Sequence, residues 1–269
     1  MASSIRLAPL LLLALQPGCA DDPVEPVEPR ARIDLRAATG RADVRAVGVT
    51  VDGSDRRLVL DEEAGLFAID ASGRASLVLA LADFPDPGVP IRPPFTDLVA
   101  LGDQLALTAI GDGFLLDVAA GTMTRHFCYE PGGFPEYQEQ RTNALGYDPA
   151  TGRLYAQPRT FDDSGALLRS ELGMYAADSG LDLNWWGLPD QLDAGGLVVL
   201  GPDEVVLGEG ARLLRYDLVA SRLSTLDDLT RYGVTAIDGL ALDRPAGLLH
   251  VLDGTRDELI SIELAQLGL

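Results

Sequence analysis

The chain is short of positive charge and contains no lysine. Its 269 residues include 21 basic residues, all of them arginine, against 41 acidic residues, and the formal net charge is −20. Nucleic-acid backbones repel a chain of this kind, so the composition argues against DNA or RNA as a partner. The missing lysine is consistent with a GC-rich genome and carries no information about function.

Residues that build reactive centres are also scarce. Two cysteines and two histidines are too few for a disulfide framework or for paired-cysteine zinc spacing. The chain has no Gly-x-Ser-x-Gly, phosphate-loop or His-Glu-x-x-His motif. If Cys19 carries a lipid, no second cysteine remains to form a disulfide with Cys128 within the chain. We interpret Cys128 as a partly buried small apolar residue, and a reactive thiol is the alternative.

The N-terminus has the features of a removable secretion signal. Arg6 precedes an apolar run over residues 7–15, and Gly18 provides a small residue directly before Cys19. A run of this length is too short to span a bilayer as a helix. We therefore assign residues 1–18 to a signal peptide.

The end of this signal, Leu-Gln-Pro-Gly-Cys at residues 15–19, resembles the lipobox of bacterial lipoproteins. The Gly-Cys pair matches the lipobox, whereas Gln16 and Pro17 depart from its small or aliphatic residues. The resemblance implies a diacylglycerol on Cys19 and a lipid-anchored place in the bacterial cell envelope, periplasmic or at the outer surface. Ordinary secretion, with Cys19 removed or unmodified, is the alternative.

An acidic, proline-rich stretch over residues 19–30 separates the signal from the rest. It contains two consecutive Val-Glu-Pro triplets, which cannot build a packed core and favour an extended chain of about 3.1 Å per residue. We expect a tether here. The remaining residues, 31–269, are enough for one large all-β domain, in agreement with a hydrophobic fraction of 47% over the whole chain.

A short hydrophobic strand that ends in an acidic residue recurs five times along this domain. The five copies occupy residues 66–70, 114–117, 174–178, 213–217 and 259–263. A turn and a further strand follow four of them, and a second hairpin lies upstream of each. Two hairpins in each period of about 40 to 50 residues are typical of a four-stranded β-propeller blade.

The ends of the chain supply the argument for closure. The fifth unit has only three strands, while residues 31–36 form a lone alternating strand at the start. Pairing that strand with the last unit completes five blades and removes an exposed edge. We therefore predict an all-β, five-bladed β-propeller closed by its N-terminal strand. Six blades are the alternative if one unit is too degenerate to recognise.

These motifs resemble propellers of the NHL, YVTN and gluconolactonase-like (regucalcin) kinds over nearly the whole mature chain. In such blades the inter-blade segments and the turns between second and third strands share one face, here called the long-loop face. Long loops on a rigid scaffold commonly carry binding residues. The long segments are 81–95, 128–141, 187–195, 227–235 and, inside the third blade, 157–166.

Arginine and aromatic residues, which anchor many interfaces, are concentrated in these segments. The candidate binding residues are Arg92, Tyr129, Phe134, Tyr137, Arg141, Arg159, Phe161, Arg231 and Tyr232.

Alignment of the innermost strands places one residue of each at the channel mouth on this face: Val47, Asp97, Asn143, Gly196 and Asp238. Asp97, Asn143 and Asp238 carry oxygen ligands suited to a hard divalent cation. The gluconolactonase-like family also implies a metal here, held by Glu, Asn and Asp, but Val47 stands where its Glu is expected. A divalent cation and hydrated polar residues without a cofactor are therefore the two alternatives.

Two functions follow from these observations. The first is a membrane-anchored, non-catalytic module outside the cytoplasm that binds a protein, peptide or glycan at the long-loop face. The second is a metal-dependent lactonase or esterase with Asp97, Asn143 and Asp238 around the ion.

Overall fold

A computed structural model describes residues 26–91, 94–128, 139–162, 164–189 and 192–269, with side chains except at 139–141. The described chain contains twenty strands, one short helix, α1 (Leu35–Thr39), and three 3₁₀ turns (Leu81–Asp83, Leu229–Tyr232 and Leu264–Gln266). Within these residues, no helix has the length and apolar character needed to cross a bilayer.

The strands form five antiparallel sheets of four strands each, which confirms the predicted five-bladed propeller. Blades 1 and 2 are β2 (Ala46–Val51), β3 (Arg57–Asp61), β4 (Gly65–Ile69), β5 (Ala75–Ala80) and β6 (Phe95–Leu101), β7 (Gln104–Ala109), β8 (Asp112–Asp117), β9 (Thr122–Cys128). Blades 3 and 4 are β10 (Glu139–Asp148), β11 (Arg153–Phe161), β12 (Leu167–Ala176), β13 (Asp182–Gly187) and β14 (Gly196–Gly201), β15 (Glu204–Glu209), β16 (Arg212–Asp217), β17 (Arg222–Asp228). Blade 5 is β18 (Gly239–Asp243), β19 (Leu248–Asp253), β20 (Glu258–Glu263) and β1 (Ala31–Asp34).

The N-terminal strand closes the ring, as the sequence predicts. β1 pairs antiparallel with β20, with Ala31 opposite Ser261 and Asp34 opposite Glu258. Arg32 pairs with Glu258 and also donates a hydrogen bond from Nη2 to the carbonyl oxygen of Tyr232 at 2.6 Å. The first strand of the domain therefore supplies the outermost strand of its last blade.

The first strand of each blade is the innermost. β2 contacts β6, β6 contacts β10, β10 contacts β14, β14 contacts β18 and β18 contacts β2, so the five strands form a closed circle. Glycine permits the close approach: a Cβ on Gly196 would lie 2.6 Å from the backbone nitrogen of Leu240. A Cβ on Gly48 would lie 2.6 Å from Oδ1 of Asp97.

The hydrophobic core lies between adjacent blades. Each of the five seams has its own cluster of buried apolar side chains. Leu35 of α1, which is 1% exposed, belongs to the seam between the last and first blades together with Val49 and Leu259. Burial at every seam stabilises the ring as a whole, because each blade covers the apolar face of the next.

Acidic residues at the ends of the third strands close the next turn at three positions. Oδ1 of Asp70 accepts hydrogen bonds from the backbone nitrogens of Ser72 and Arg74, at 2.8 and 3.0 Å. Asp117 and Asp217 accept backbone hydrogen bonds in the same way. Short acidic side chains stabilise such turns by replacing a backbone acceptor.

Residues 157–166 lie partly in a strand, whereas the sequence predicts a long loop there. β11 continues to Phe161 and β12 begins at Leu167, so only residues 162–166 form a turn. Oδ1 of Asp162 closes that turn by accepting from the backbone nitrogens of Ser164 and Ala166, at 2.8 and 2.9 Å. Pro158 favours a loop assignment from sequence, but a register shift between β10 and β11 accommodates it within the sheet.

Candidate functional site

A cavity of about 350 Å³ occupies the ring axis at the long-loop end of the inner strands. Its described lining comes from all five blades and is here called the mouth: Val47, Glu62, Pro94, Phe95, Thr96, Asn143, Asp193, Ala194, Gly195, Gly210, Ala236, Ile237 and Asp238. The volume is in the range of small-ligand pockets. Asn143 and Asp238 thus lie at the mouth, as the sequence predicts.

Asp193 is the centre of a polar cluster on one side of the mouth. Its Oδ1 accepts a hydrogen bond from Nδ2 of Asn143 at 2.9 Å and forms an ion pair with Nη1 of Arg159 at 2.5 Å. The side chain of Arg159 is 12% exposed and that of Asp193 is 58% exposed. The carboxylate is therefore neutralised on its inner side and open to a ligand on the other.

Asp238 lies deeper in the mouth. Its Oδ2 accepts a hydrogen bond from the backbone nitrogen of Gly254 at 2.9 Å. Burial raises the pKa of the Asp238 carboxyl above its ordinary value, the Gly254 hydrogen bond opposes this shift, and the nearby charges of Asp253 and Asp193 add to it. No arginine forms an ion pair with Asp238 in the described part of the chain. The mouth therefore contains a partly buried carboxyl without a cationic partner.

Asp97 does not lie at the mouth, which corrects the predicted column. Its side chain is 1% exposed, with Oδ1 accepting from the backbone nitrogen of Leu98 at 2.8 Å and Oδ2 from that of Leu145 at 2.7 Å. Burial raises the pKa of the Asp97 carboxyl well above its ordinary value, and these two hydrogen bonds oppose the shift. A register shift between Phe95 and Asp97 accompanies the inward orientation. Asp97 ties blade 2 to blade 3.

Two acidic residues of the mouth were not among the predicted site residues. Asp193 belongs to the segment before β14, and Glu62 belongs to the turn between β3 and β4. The nitrogen Nη1 of Arg45 lies 3.3 Å from Oε1 of Glu62, so this carboxylate has a cationic partner. The sequence predicts a long loop over residues 187–195, but the composition of this loop does not distinguish Asp193 from its neighbours.

The predicted binding residues divide into three groups, of which the first lies outside the described residues and the second lies on the first two strands of blade 3. Arg92, Tyr129, Phe134 and Tyr137 lie outside the described residues, as does Cys19. Arg141 pairs opposite Arg159 in the ladder between β10 and β11. Arg159 and Phe161 lie on the extended hairpin of blade 3, with the guanidinium carbon 4.9 Å from the ring centroid.

Arg231 and Tyr232, which the sequence makes candidate binding residues, form contacts within the fold instead. Tyr232 is 2% exposed and packs in the seam between blades 4 and 5. Arg231 lies over the Tyr232 ring, forms an ion pair with Asp227 at 2.6 Å and donates to the carbonyl oxygen of Gln266 at 3.0 Å. The carbonyl oxygen of Arg231 accepts a hydrogen bond from the backbone nitrogen of Val27, so this turn contacts the segment that precedes β1.

The side chains that could bind a metal ion at the mouth differ from the set predicted from the sequence. In the described ranges, no three His, Cys, Asp or Glu side chains are grouped to hold a metal ion. The set Asp97, Asn143 and Asp238 does not share one cavity, since Asp97 is buried away from the mouth. Asn143, Asp193 and Asp238 do line one cavity and offer amide and carboxylate oxygens.

Comparison with solved structures supports the fold. A glutaminyl cyclase from Myxococcus xanthus matches with a TM-score of 0.57 and 15% identity, covering 89% of this chain and 97% of that one. A gluconolactonase from Xanthomonas campestris matches with a TM-score of 0.52 and 15% identity, covering 82% and 72%. At this identity the likeness concerns the propeller fold alone. No protein-family model and no curated protein sequence matches the chain.

The role of Asp97 leads to a stability prediction. Replacing Asp97 by Ala leaves two buried backbone N–H groups without an acceptor, so the free energy of unfolding should fall by about 2 to 6 kcal/mol. Urea denaturation measures this loss. The matched change Asp103→Ala, at an exposed turn position of the same blade, should have little effect. Equal effects of the two changes would contradict the inter-blade role of Asp97.

Proposed function

We propose that this chain is a non-catalytic binding module that acts outside the cytoplasm and holds a protein, peptide or glycan at its long-loop face. One observation carries the proposal: Asn143, Asp193 and Asp238, from three parts of the chain, converge on a single cavity at that face. The extended hairpin of blade 3 contributes Arg159 to the same cluster. A rigid ring with a polar cavity at the end of its axis is suited to binding.

The polar groups of the mouth indicate which part of the ligand enters it. Carboxylate and amide oxygens dominate the polar lining, and Asp238 has one oxygen without a described hydrogen-bond partner. An ionised carboxylate accepts hydrogen bonds and cannot donate them. The portion of the ligand in the mouth is therefore rich in donors, such as the hydroxyl groups of a glycan or an amino group of a peptide.

A screen of immobilised glycans and short peptides tests this proposal. The wild-type protein should bind ligands with exposed hydroxyl or amino groups, and both Asp193→Ala and Asp238→Asn should weaken that binding about tenfold, as expected when a charged hydrogen-bond partner is lost. Asp103→Asn, which removes an equal charge far from the mouth, is the control. Binding that ignores both mouth substitutions would contradict the proposal.

The same binding should depend on pH. Asp238 must be ionised to accept hydrogen bonds at both oxygens, and its pKa lies above the ordinary value, so protonation begins at a higher pH than for an exposed aspartate. Affinity should therefore fall as the pH is lowered through this raised pKa. Asp238→Asn should lose that part of the pH dependence, whereas Asp103→Asn should keep it.

A second candidate is a metal-dependent lactonase or esterase, which is favoured by the shared cavity of Asn143, Asp193 and Asp238. A divalent cation held by these oxygens would polarise a substrate carbonyl. Metal analysis of dialysed protein after supplementation with calcium, magnesium, manganese or zinc separates the two candidates. The binding module predicts no stoichiometric metal and no lactone hydrolysis. Stoichiometric metal that is lost in Asp193→Ala, together with hydrolysis, would support the enzyme.

We extend the proposal to a lipid anchor on Cys19, which places the module in the bacterial cell envelope. The lipobox-like residues 15–19 support it. In a bacterial host, the wild-type protein should fractionate with membranes and incorporate labelled palmitate, and Cys19→Ser should do neither. Cys128→Ser is the matched control and should behave as wild type. A wild-type protein that stays soluble and unlabelled would indicate ordinary secretion instead.

A further inference from the structure

A second cavity lies at the opposite end of the ring axis, on the face of the short hairpin turns. It has a volume of about 300 Å³ and is lined by residues of all five blades. We call it the funnel. Its half-buried side chains include Val51, Val99, Tyr147 and Leu242, so most of its exposed surface is apolar. The mouth and the funnel share no lining residue.

Arg244 stands at the rim of the funnel, directly after β18. Its Nη2 donates to the carbonyl oxygens of Val199 at 2.8 Å and Leu200 at 2.7 Å on the neighbouring blade. These two contacts fix the orientation of the guanidinium. In the part of the chain that the structure describes, neither Nε nor Nη1 of Arg244 has a hydrogen-bond partner, and no carboxylate pairs with it.

The chain has 41 acidic residues, yet none of those that the structure describes forms an ion pair with Arg244. Asp52 also lines the funnel, but its carboxylate accepts from the backbone nitrogens of Ser54 and Arg56 and pairs with the Arg56 side chain at 2.7 Å. Its charge is therefore already compensated. Arg244 is the uncompensated charge among the described residues of the funnel lining.

We propose that the funnel is a second ligand site, for a small carboxylate with an apolar tail. The fixed guanidinium offers unused N–H donors to a carboxylate, and an arginine in a set orientation loses little freedom on binding. The apolar tail enters the cavity and covers Val51, Val99 and Leu242. This site does not depend on the proposed function of the mouth.

Hexanoate and hexan-1-ol are the test ligands, because they share an apolar chain and differ in charge. Titration of the full-length protein, followed by NMR shifts, should show hexanoate binding at least about tenfold more tightly than hexan-1-ol, as expected for a charge-assisted contact. Arg244→Gln should remove that advantage and leave hexan-1-ol binding unchanged. Arg222→Gln, an exposed arginine on the same face, is the matched control and should change neither.

A second variant keeps the test valid if Arg244→Gln disturbs the contact between blades 4 and 5. Val99→Phe adds a ring on the blade 2 side of the funnel, whereas Arg244 belongs to blade 5, and this change should reduce the binding of both ligands. Asp193→Ala and Asp238→Asn at the mouth should leave hexanoate binding intact, which separates the two sites. Equal affinity for hexanoate and hexan-1-ol, or hexanoate binding unaffected by both Arg244→Gln and Val99→Phe, overturns the proposal.

Discussion

Pairing of the first strand with the last blade is the constraint on which the rest of the structure depends. β1 gives blade 5 its fourth strand and covers the edge that β20 would otherwise expose. Because the paired strands lie at the two ends of the domain, their ladder joins both ends into a circle. Leu35 and the helix that follows β1 then fill the seam between the last and first blades.

Closure of the ring is what brings the mouth residues together. Asn143 is on blade 3, Asp193 precedes blade 4 and Asp238 precedes blade 5, yet all three line one cavity. Glycine at the inner strands lets these strands approach closely at the axis, and a separate cavity lies at each end. The two ends differ in chemistry: the mouth presents carboxyl groups, whereas the funnel presents mostly apolar side chains with one arginine, and its Asp52 is paired with Arg56.

The periodic features of the fold could be predicted from the sequence, because each blade repeats the same strand and turn pattern. The third strands and the closing strand follow from local patterns of apolar and turn-forming residues, although the strand predicted over residues 31–36 ends at Asp34 and α1 begins at the next residue. Ring closure could be predicted because the last unit lacks a fourth strand and the start of the domain has a strand without a neighbour in its own unit.

Prediction from the sequence fails where tertiary structure overrides a local pattern. A register shift accompanies the inward turn of Asp97, and another lets Pro158 remain within a sheet, and neither shift leaves a pattern in the sequence. Tyr232 has the composition expected of a binding residue, but its ring fills a seam that exists only once the blades pack together. Asp193 gains its importance only from its contacts with Asn143 and Arg159.

Cross-linking of β1 to β20 tests the closed ring most directly. Ala31 and Ser261 are opposite each other in an antiparallel ladder, where Cα atoms lie about 4.5 to 5.5 Å apart, within the range of a disulfide. With Cys19 and Cys128 replaced by serine, Ala31→Cys with Ser261→Cys should form an intrachain disulfide, whereas Ala31→Cys with Thr124→Cys of blade 2 should not. Failure of the first pair to cross-link within one chain would contradict ring closure and, with it, the convergence of Asn143, Asp193 and Asp238 at one mouth.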